Sequence, residues 1–220
     1  MNSTLRVVAI DGPAGAGKST IAKKLAERLG VPYLDTGAMY RMVTYVAIRD
    51  GVDLHDEVSV LTAAQAAKFE MENNTFLVDG VDVHAIIRAE PVTKAVSIVA
   101  ALSSVRTMLR EAQRQWVREH GGGVVEGRDI GTVVFPDATL KVYLTASPQV
   151  RAERRVAQDG GSVDDIARQI NERDLLDSTR LDSPLVPADD SMWLDTSDIP
   201  IDDVVQMLLA KIAEREKASK

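Results

Sequence analysis

Residues 12–19 read Gly12-Pro13-Ala14-Gly15-Ala16-Gly17-Lys18-Ser19 and follow directly on the apolar run Leu5-Arg6-Val7-Val8-Ala9-Ile10. This is the pattern G-x-x-x-x-G-K-[ST] in the strand–loop–helix setting that a phosphate-binding P-loop requires. Its glycines let successive backbone N–H groups turn inward around a phosphate chain. Lys18 brings a mobile positive charge to the outer phosphates, and the Ser19 hydroxyl is suited to a magnesium ion. The predicted helix from Ser19 to Leu29 turns its N-terminal dipole toward a bound anion. Gly12 through Thr20 are therefore expected to cradle a nucleoside triphosphate.

A second group of residues is cationic: Arg41, Arg106, Arg128, Arg154, Arg173 and Arg180. Arg173, Asp177 and Arg180 recur at i, i+4 and i+7, the spacing of one helix face. On an isolated helix this would read as a solvated, salt-bridged face. Next to a P-loop it suggests phosphoryl transfer, which is catalysed largely by positioning and cationic clamping of charge on the equatorial oxygens. Guanidinium groups suit that role because they bind phosphate through two parallel donors. An acceptor that is itself a phosphate calls for more arginines. Glu126-Gly127-Arg128-Asp129 follows the short strand Val124-Val125, so Glu126 is placed to hold magnesium or its waters. Asp35-Thr36-Gly37 ends a neighbouring predicted strand, where a helix N-terminus could receive a second anion.

These residues need a scaffold, and the chain alternates strand and helix patterns, which points to an α/β fold with a central parallel sheet. Predicted strands lie at Leu5–Ile10, Val31–Leu34, Val124-Val125, Thr139–Leu144 and Trp193-Leu194. Helices are predicted over 38–49, 58–67 and 92–119, the last stopping at Gly121-Gly122-Gly123. A helix opened by Ser147-Pro148 carries Arg151, Arg154 and Arg155. Asp159-Gly160-Gly161-Ser162 separates it from another that runs through Arg180, and residues 201–217 form an amphipathic closing helix. Short alternating runs at Phe69–Glu72, Thr75–Val78 and Val81–Val83, separated by Asn73-Asn74 and Asp79-Gly80, indicate a small antiparallel meander. Residues of about 65–95 are read as an inserted lobe.

Composition narrows the function. The 220 residues fit one domain of ordinary size, and 45% hydrophobic content suffices for a core. A net charge of −7 and only 4% aromatic residues argue against a general nucleic-acid binder. The absence of cysteine excludes disulfides and thiolate metal sites. His55, His84 and His120 lie far apart in sequence and are read as surface residues without a metal role. The start, Met1 to Arg6, leads into the first predicted strand and is read as holding no signal peptide. No apolar run approaches a membrane-spanning length, so the expectation is a cytoplasmic protein.

Over nearly its whole length the chain resembles the bacterial cytidylate kinases, within the nucleoside monophosphate kinases. The resemblance rests on Ile10–Lys18, on Leu34-Asp35-Thr36-Gly37-Ala38-Met39-Tyr40-Arg41, and above all on Glu126-Gly127-Arg128-Asp129-Ile130-Gly131-Thr132-Val133-Val134-Phe135-Pro136-Asp137. Arg173-Asp174 with Asp177, Arg180 and Pro184-Leu185-Val186-Pro187 completes it. It implies a P-loop kinase core over 1–35, 100–148 and 184–220, and a monophosphate-binding lobe over 36–99. A helical lid over 149–172 would lead into the arginine-bearing helix that runs to 183.

The activity implied is transfer of the ATP γ-phosphoryl group to CMP or dCMP with Mg2+. Lys18, Arg128, Arg173 and Arg180 would be catalytic, and Arg154 and Arg155 would close over ATP. Ser19 would hold the magnesium ion, with Glu126 acting through water. Thr36, Arg41, Arg128 and Arg180 match positions around the acceptor phosphate, and Arg173 and Asp177 positions near the sugar and the transferring phosphate. Ser97, Arg106 and Asp129 match the pocket that reads cytosine. A carboxylate there accepts from the N4 amino group, whereas uracil would present an acceptor to it.

Two departures are mild: Thr36 stands where serine is also common, and Leu176 where some relatives carry arginine. The substrates are small molecules and the chain is expected to be a monomer. Alternative readings are a kinase of another small acceptor, adenylate- or shikimate-type, or a non-enzymatic nucleotide switch. The switch reading lacks support from the guanine signature [NT]-K-x-D, because Asn171-Glu172-Arg173-Asp174 has no lysine.

Overall fold

The computed structural model describes residues 6–72 and 75–218. Leu5 of the first predicted strand, the preceding Met1–Thr4 and the predicted Asn73-Asn74 turn lie outside the described residues. The chain divides into two compact units, one of residues 1–35 and 114–220 and the other of residues 36–113.

The first unit is built on a five-stranded sheet, parallel throughout. Its strands are β1 (Arg6–Asp11), β2 (Tyr33–Asp35), β6 (Gly122–Gly127), β7 (Leu140–Thr145) and β8 (Met192–Asp195), in the order β2-β6-β1-β7-β8. β1 and β6 are buried along almost their whole length, as parallel strands covered on both faces must be. Helices α1 (Lys18–Leu29) and α8 (Ile201–Ala218) cover the sheet. Ile21, Leu25, Val204, Leu208 and Ile212 pack there on Val8, Ile10, Val142 and Leu144. The register aligns the carboxyl ends of three strands: Asp11 pairs with Gly127, and Asp35 with Glu126. Helices α6 (Pro148–Asp159) and α7 (Val163–Thr179) complete the unit. α6 starts as the sequence suggests, with Pro148 in its first turn and the Ser147 hydroxyl accepting from the Val150 amide at 3.3 Å.

The second unit holds α2 (Thr36–Arg49), α3 (Glu57–Ala66) and a three-stranded antiparallel sheet, β3 (Phe69–Glu72), β4 (Thr75–Val78) and β5 (Val81–Asp82). The expected meander is present. β4 alternates with period two, burying Phe76 and Val78 against Ala38, Met42 and Val46 of α2. From Ile86 onward the segment turns helical, first as the short turn Ile86–Arg88 and then as α4 (Glu90–Val99).

Two expectations are corrected. The single helix expected over 92–119 is two, α4 (Glu90–Val99) and α5 (Ser103–His120). The last turn of α4 tightens, with Ala101 and Leu102 donating to carbonyls three residues back, and the chain restarts at Ser103. Gly122 and Gly123 do not simply follow a helix stop; they are the first residues of β6. Their φ angles are +128° and +156°, and a Cβ at either would lie within 3 Å of a neighbouring carbonyl, that of Arg6 or of Pro32. Glycine is required there by close backbone approach.

Candidate nucleotide and phosphate sites

The loop between β1 and α1 has the backbone its glycines predict. Gly12, Gly15 and Gly17 all have positive φ, and a Cβ on Gly12 would stand 1.9 Å from the Leu144 carbonyl oxygen. Lys18 is buried, and its ammonium donates to the Pro13 carbonyl at 2.7 Å. Burial, then the neighbouring Arg128, pushes its pKa down to about 7. A cavity of about 360 Å³ opens beside the loop, lined by Gly15 through Ile21 together with Arg154, Arg155, Gln158, Thr196, Ile199 and Ile201. Arg154 and Arg155 thus stand beside the loop. Arg154 is anchored by donating to the Thr196 hydroxyl at 3.0 Å and to its carbonyl at 2.6 Å. Thr196 and the isoleucines carried no signal in the sequence.

At the ends of β2 and β6 an oxygen-rich group forms. The Ser19 hydroxyl donates to Glu126 Oε2 at 3.0 Å, and the Tyr33 hydroxyl donates to Glu126 Oε1. Burial, then the charge of Asp35, pushes the Glu126 carboxyl up to about 7. The sequence pointed to Ser19 and Glu126, but Tyr33 was read only as part of a strand.

The segment after β6 is held on both sides. The Asp11 carboxylate accepts from the backbone amides of Ile130 and Gly131 at 2.8 and 2.7 Å. Arg114, from α5, donates to the Val133 and Val134 carbonyls, both at 3.0 Å. Between these anchors residues 130–134 form one wide π-helical turn. Burial pushes Asp11 up to about 6, against the lowering effect of those two amides. In the sequence Asp11 figured only within the Ile10–Lys18 stretch, with no role of its own, and Arg114 did not stand out.

Arg128, Asp129, Asp177 and Arg180 converge in this unit. Arg128 Nε donates to Asp177 Oδ2 at 2.9 Å. Arg180 lies 3.6 Å from Asp177 and 3.7 Å from Asp129. Arg180 ends α7 in extended backbone rather than continuing its face, yet its side chain stays with that of Asp177. The group is buried, unlike the solvated face an isolated helix would show. Burial works against the Asp177 charge, but Arg128, Arg173 and Arg180 together hold its carboxyl below the usual range. Arg173 is pushed down to about 10 by burial and by Arg128, and its Nε has no hydrogen-bond partner.

One α7 residue reaches the P-loop itself. Asp174 Oδ1 accepts from the Ala14 amide at 3.0 Å, while Arg151 donates to the Ala14 carbonyl at 3.1 Å and to Asp174 Oδ2.

In the second unit Thr36 is buried at the start of α2, and Ser97 is half-buried on α4. Arg41 Nη1 donates to the Ile87 carbonyl and the Thr93 hydroxyl, both at 2.8 Å. Arg106 is 1% exposed, donates to the Ala100 carbonyl at 3.1 Å, and lies over the Tyr40 ring at 5.5 Å from its centroid. Among the described residues no single helix is long and apolar enough to cross a membrane.

Similarity to known proteins agrees with this geometry. The cytidylate kinase of Rhodococcus opacus (strain B4) is 50% identical over 224 residues, covering 98% of each chain. That of Mycobacterium leprae (strain Br4923) is 46% identical over 217 residues, covering 96% of this chain and 97% of the other. Among solved structures, a gluconokinase from Sinorhizobium meliloti 1021 aligns with a TM-score of 0.52 at 16% identity, over 96% of this chain and 93% of its own; it shares the fold alone. The family model described as cytidylate kinase matches residues 8–214. On a match that spans the P-loop, the Arg128–Asp129 segment and α7 alike, the chain belongs to the cytidylate kinase family.

Proposed function

We infer that the chain transfers the γ-phosphoryl group of ATP to CMP or dCMP, forming ADP and CDP or dCDP. Membership of the cytidylate kinase family supports the overall reaction. The assignment of residues to it rests on chemistry. The P-loop from Gly12 to Thr20 holds the ATP phosphates with Lys18. Arg154 and Arg155 cover the nucleotide from a lid over 149–172, excluding water that would otherwise consume ATP. Thr36, Arg41, Arg128 and Arg180 bind the acceptor phosphate, Arg173 and Asp177 attend the sugar and the transferring group, and Ser97, Arg106 and Asp129 read cytosine.

The observation that carries the phosphoryl-transfer reading is Arg173. Arg173 is half-buried beside a second guanidinium, Arg128, and its enclosed Nε is unpartnered. Two like charges held close in a partly enclosed site, with Asp177 the carboxylate among them, favour a further anion there. The transferring phosphoryl group is such an anion, and its charge grows on the oxygens those donors would meet. No general base is needed, because the acceptor phosphate, with a second pKa near 6, is largely ionised at neutral pH.

Ser19 and Glu126 fit a magnesium ion. They are hard oxygen donors, and the upward shift of Glu126, caused by burial and by Asp35, marks a place with surplus negative charge. When bound, magnesium would offset phosphate charge. The same reading has the chain working as a cytoplasmic monomer on free nucleotides, consistent with its net charge of −7.

An ADP-release assay with ATP and a panel of nucleoside monophosphates tests the function. Turnover is expected with CMP and dCMP, and absence of turnover with every pyrimidine acceptor overturns the reading.

A further inference from the structure

Glu57 is the first residue of α3, yet its carboxylate does not cap its own helix. Asp56 does that, accepting from the Val58 and Ser59 amides at 3.1 and 3.3 Å. Glu57 Oε1 instead accepts from the Ser104 amide at 2.6 Å, in the first turn of α5. That amide is the leading reason the Glu57 carboxyl sits below the usual range. The first turn of α5 is thus tied to α3, 47 residues earlier in the chain.

Two positions beyond Ser104 stands Arg106. Its backbone amide donates to the Leu102 carbonyl at 3.0 Å, so it belongs to the same turn that Glu57 holds. Its guanidinium reaches back to the Ala100 carbonyl at the end of α4 and lies over Tyr40. The break between α4 and α5 is therefore supported from both sides. Arg106 satisfies a carbonyl that the end of α4 leaves open, and Glu57 satisfies an amide that the start of α5 leaves open. The two ends of Arg106 are fixed by different partners, its backbone through the Glu57-held turn and its side chain through Ala100 and Tyr40.

We propose that Glu57 is a positioning residue for recognition of the acceptor base: by holding the first turn of α5 it sets where Arg106 presents its donors. The proposal rests on the reading that Arg106 contacts cytosine. Bidentate recognition by a guanidinium is sensitive to sub-ångström placement, and a displacement of about 1 Å in such a site can cost two orders of magnitude. A loosened first turn transmits its freedom to Arg106 and leaves the P-loop unaffected.

The test compares Glu57→Ala, Glu57→Gln, Glu57→Asp and Arg106→Ala. Turnover numbers and KM are measured for CMP and UMP, KM for ATP, and thermal midpoints. Glu57→Ala is expected to raise KM for CMP about tenfold and to lower the CMP-over-UMP preference by a similar factor, with KM for ATP unchanged. Glu57→Gln retains an oxygen that accepts from Ser104, so it recovers most of the preference. Glu57→Asp, one methylene shorter, loses preference while still folded, and it decides the matter if the alanine variant does not fold. A folded Glu57 variant with a lowered melting point but unchanged CMP-over-UMP preference overturns the proposal, leaving Glu57 a structural tie. Retained preference in Arg106→Ala instead removes Arg106 from the base pocket, and the proposal falls with that reading.

Discussion

The Asp174 carboxylate, on α7, accepts the backbone N–H of Ala14 in the P-loop at 3.0 Å. Its other oxygen receives Arg151 of α6, which also donates to the carbonyl of the same Ala14. Both polar groups of one P-loop residue are thereby held by an ion pair from the two helices that pack beside it. The helix carrying Arg173 and Asp177 is in this way fastened to the loop that would carry ATP.

Removing Asp174 should accordingly do more than remove a charge. Asp174→Ala leaves Arg151 mostly buried without its carboxylate and the Ala14 amide without its acceptor, a loss of about 3 kcal/mol for a buried pair broken on one side. Chemical denaturation of Asp174→Ala, Arg151→Ala and the double variant measures it. The double variant is expected to be little worse than either single one, and simple additivity would show that the pair does not act as a unit.

Arg173→Ala should lower the turnover number by about 10²–10³-fold, the range seen when a donor to a developing anion is removed, while ATP still binds. Equilibrium binding of a non-hydrolysable ATP analogue separates the two effects. A variant that turns over normally would take Arg173 out of the phosphoryl-transfer step.

Asp129 should decide between bases. Asp129→Ala is expected to reduce the CMP-over-UMP preference by about 10- to 100-fold, equivalent to about 1–3 kcal/mol for a lost discriminating hydrogen bond. Competition between the two acceptors in one reaction reads the ratio directly. Full selectivity in the variant would remove Asp129 from the base pocket and leave it as a partner of Arg180.

Asp11 predicts a pH signature. Burial raises its folded pKa from 3.8 to about 6, so between those values the folded protein binds a proton that the unfolded chain has released. The stability linked to this proton is fully present below pH 3.8 and is lost as pH rises through about 6. Asp11→Asn has no such titration. Its deficit relative to the wild-type chain should shrink by about 2 kcal/mol from pH 4 to pH 6. Urea titrations at those two values check this, and a constant deficit would mean that Asp11 is ionised throughout.

Much of the donor site was legible in the sequence because its chemistry is local. Gly12, Gly15 and Gly17 are needed for backbone angles that other residues resist, and Lys18 and Ser19 follow at fixed distances along one strand–loop–helix. The meander from Phe69 to Asp82 was legible for the same reason, since its turn residues and alternation act between near neighbours. Helix spacing alone would have left Arg173 and Arg180 on a solvated face; the P-loop beside them pointed to phosphate, and the family resemblance then gave them and Arg128 individual roles.

What the sequence determined by itself was therefore the phosphate-binding loop, the α/β alternation and the set of charged residues available. Tertiary structure decided which of those charges lost their water. The Asp177 carboxyl sits below its usual range, against the effect of burial, because Arg128, Arg173 and Arg180 meet around it. It also decided where α4 ends, since the apolar period runs on through residues 100–102. The caps that make the break stable come from outside that stretch, Glu57 from a distant helix and Arg106 from the turn beyond. Gly122 and Gly123, which read as a helix stop, proved to be strand because two carbonyls distant in sequence press against them. Local backbone preferences are written residue by residue, whereas desolvation, close approach and long-range capping exist only once the chain has folded.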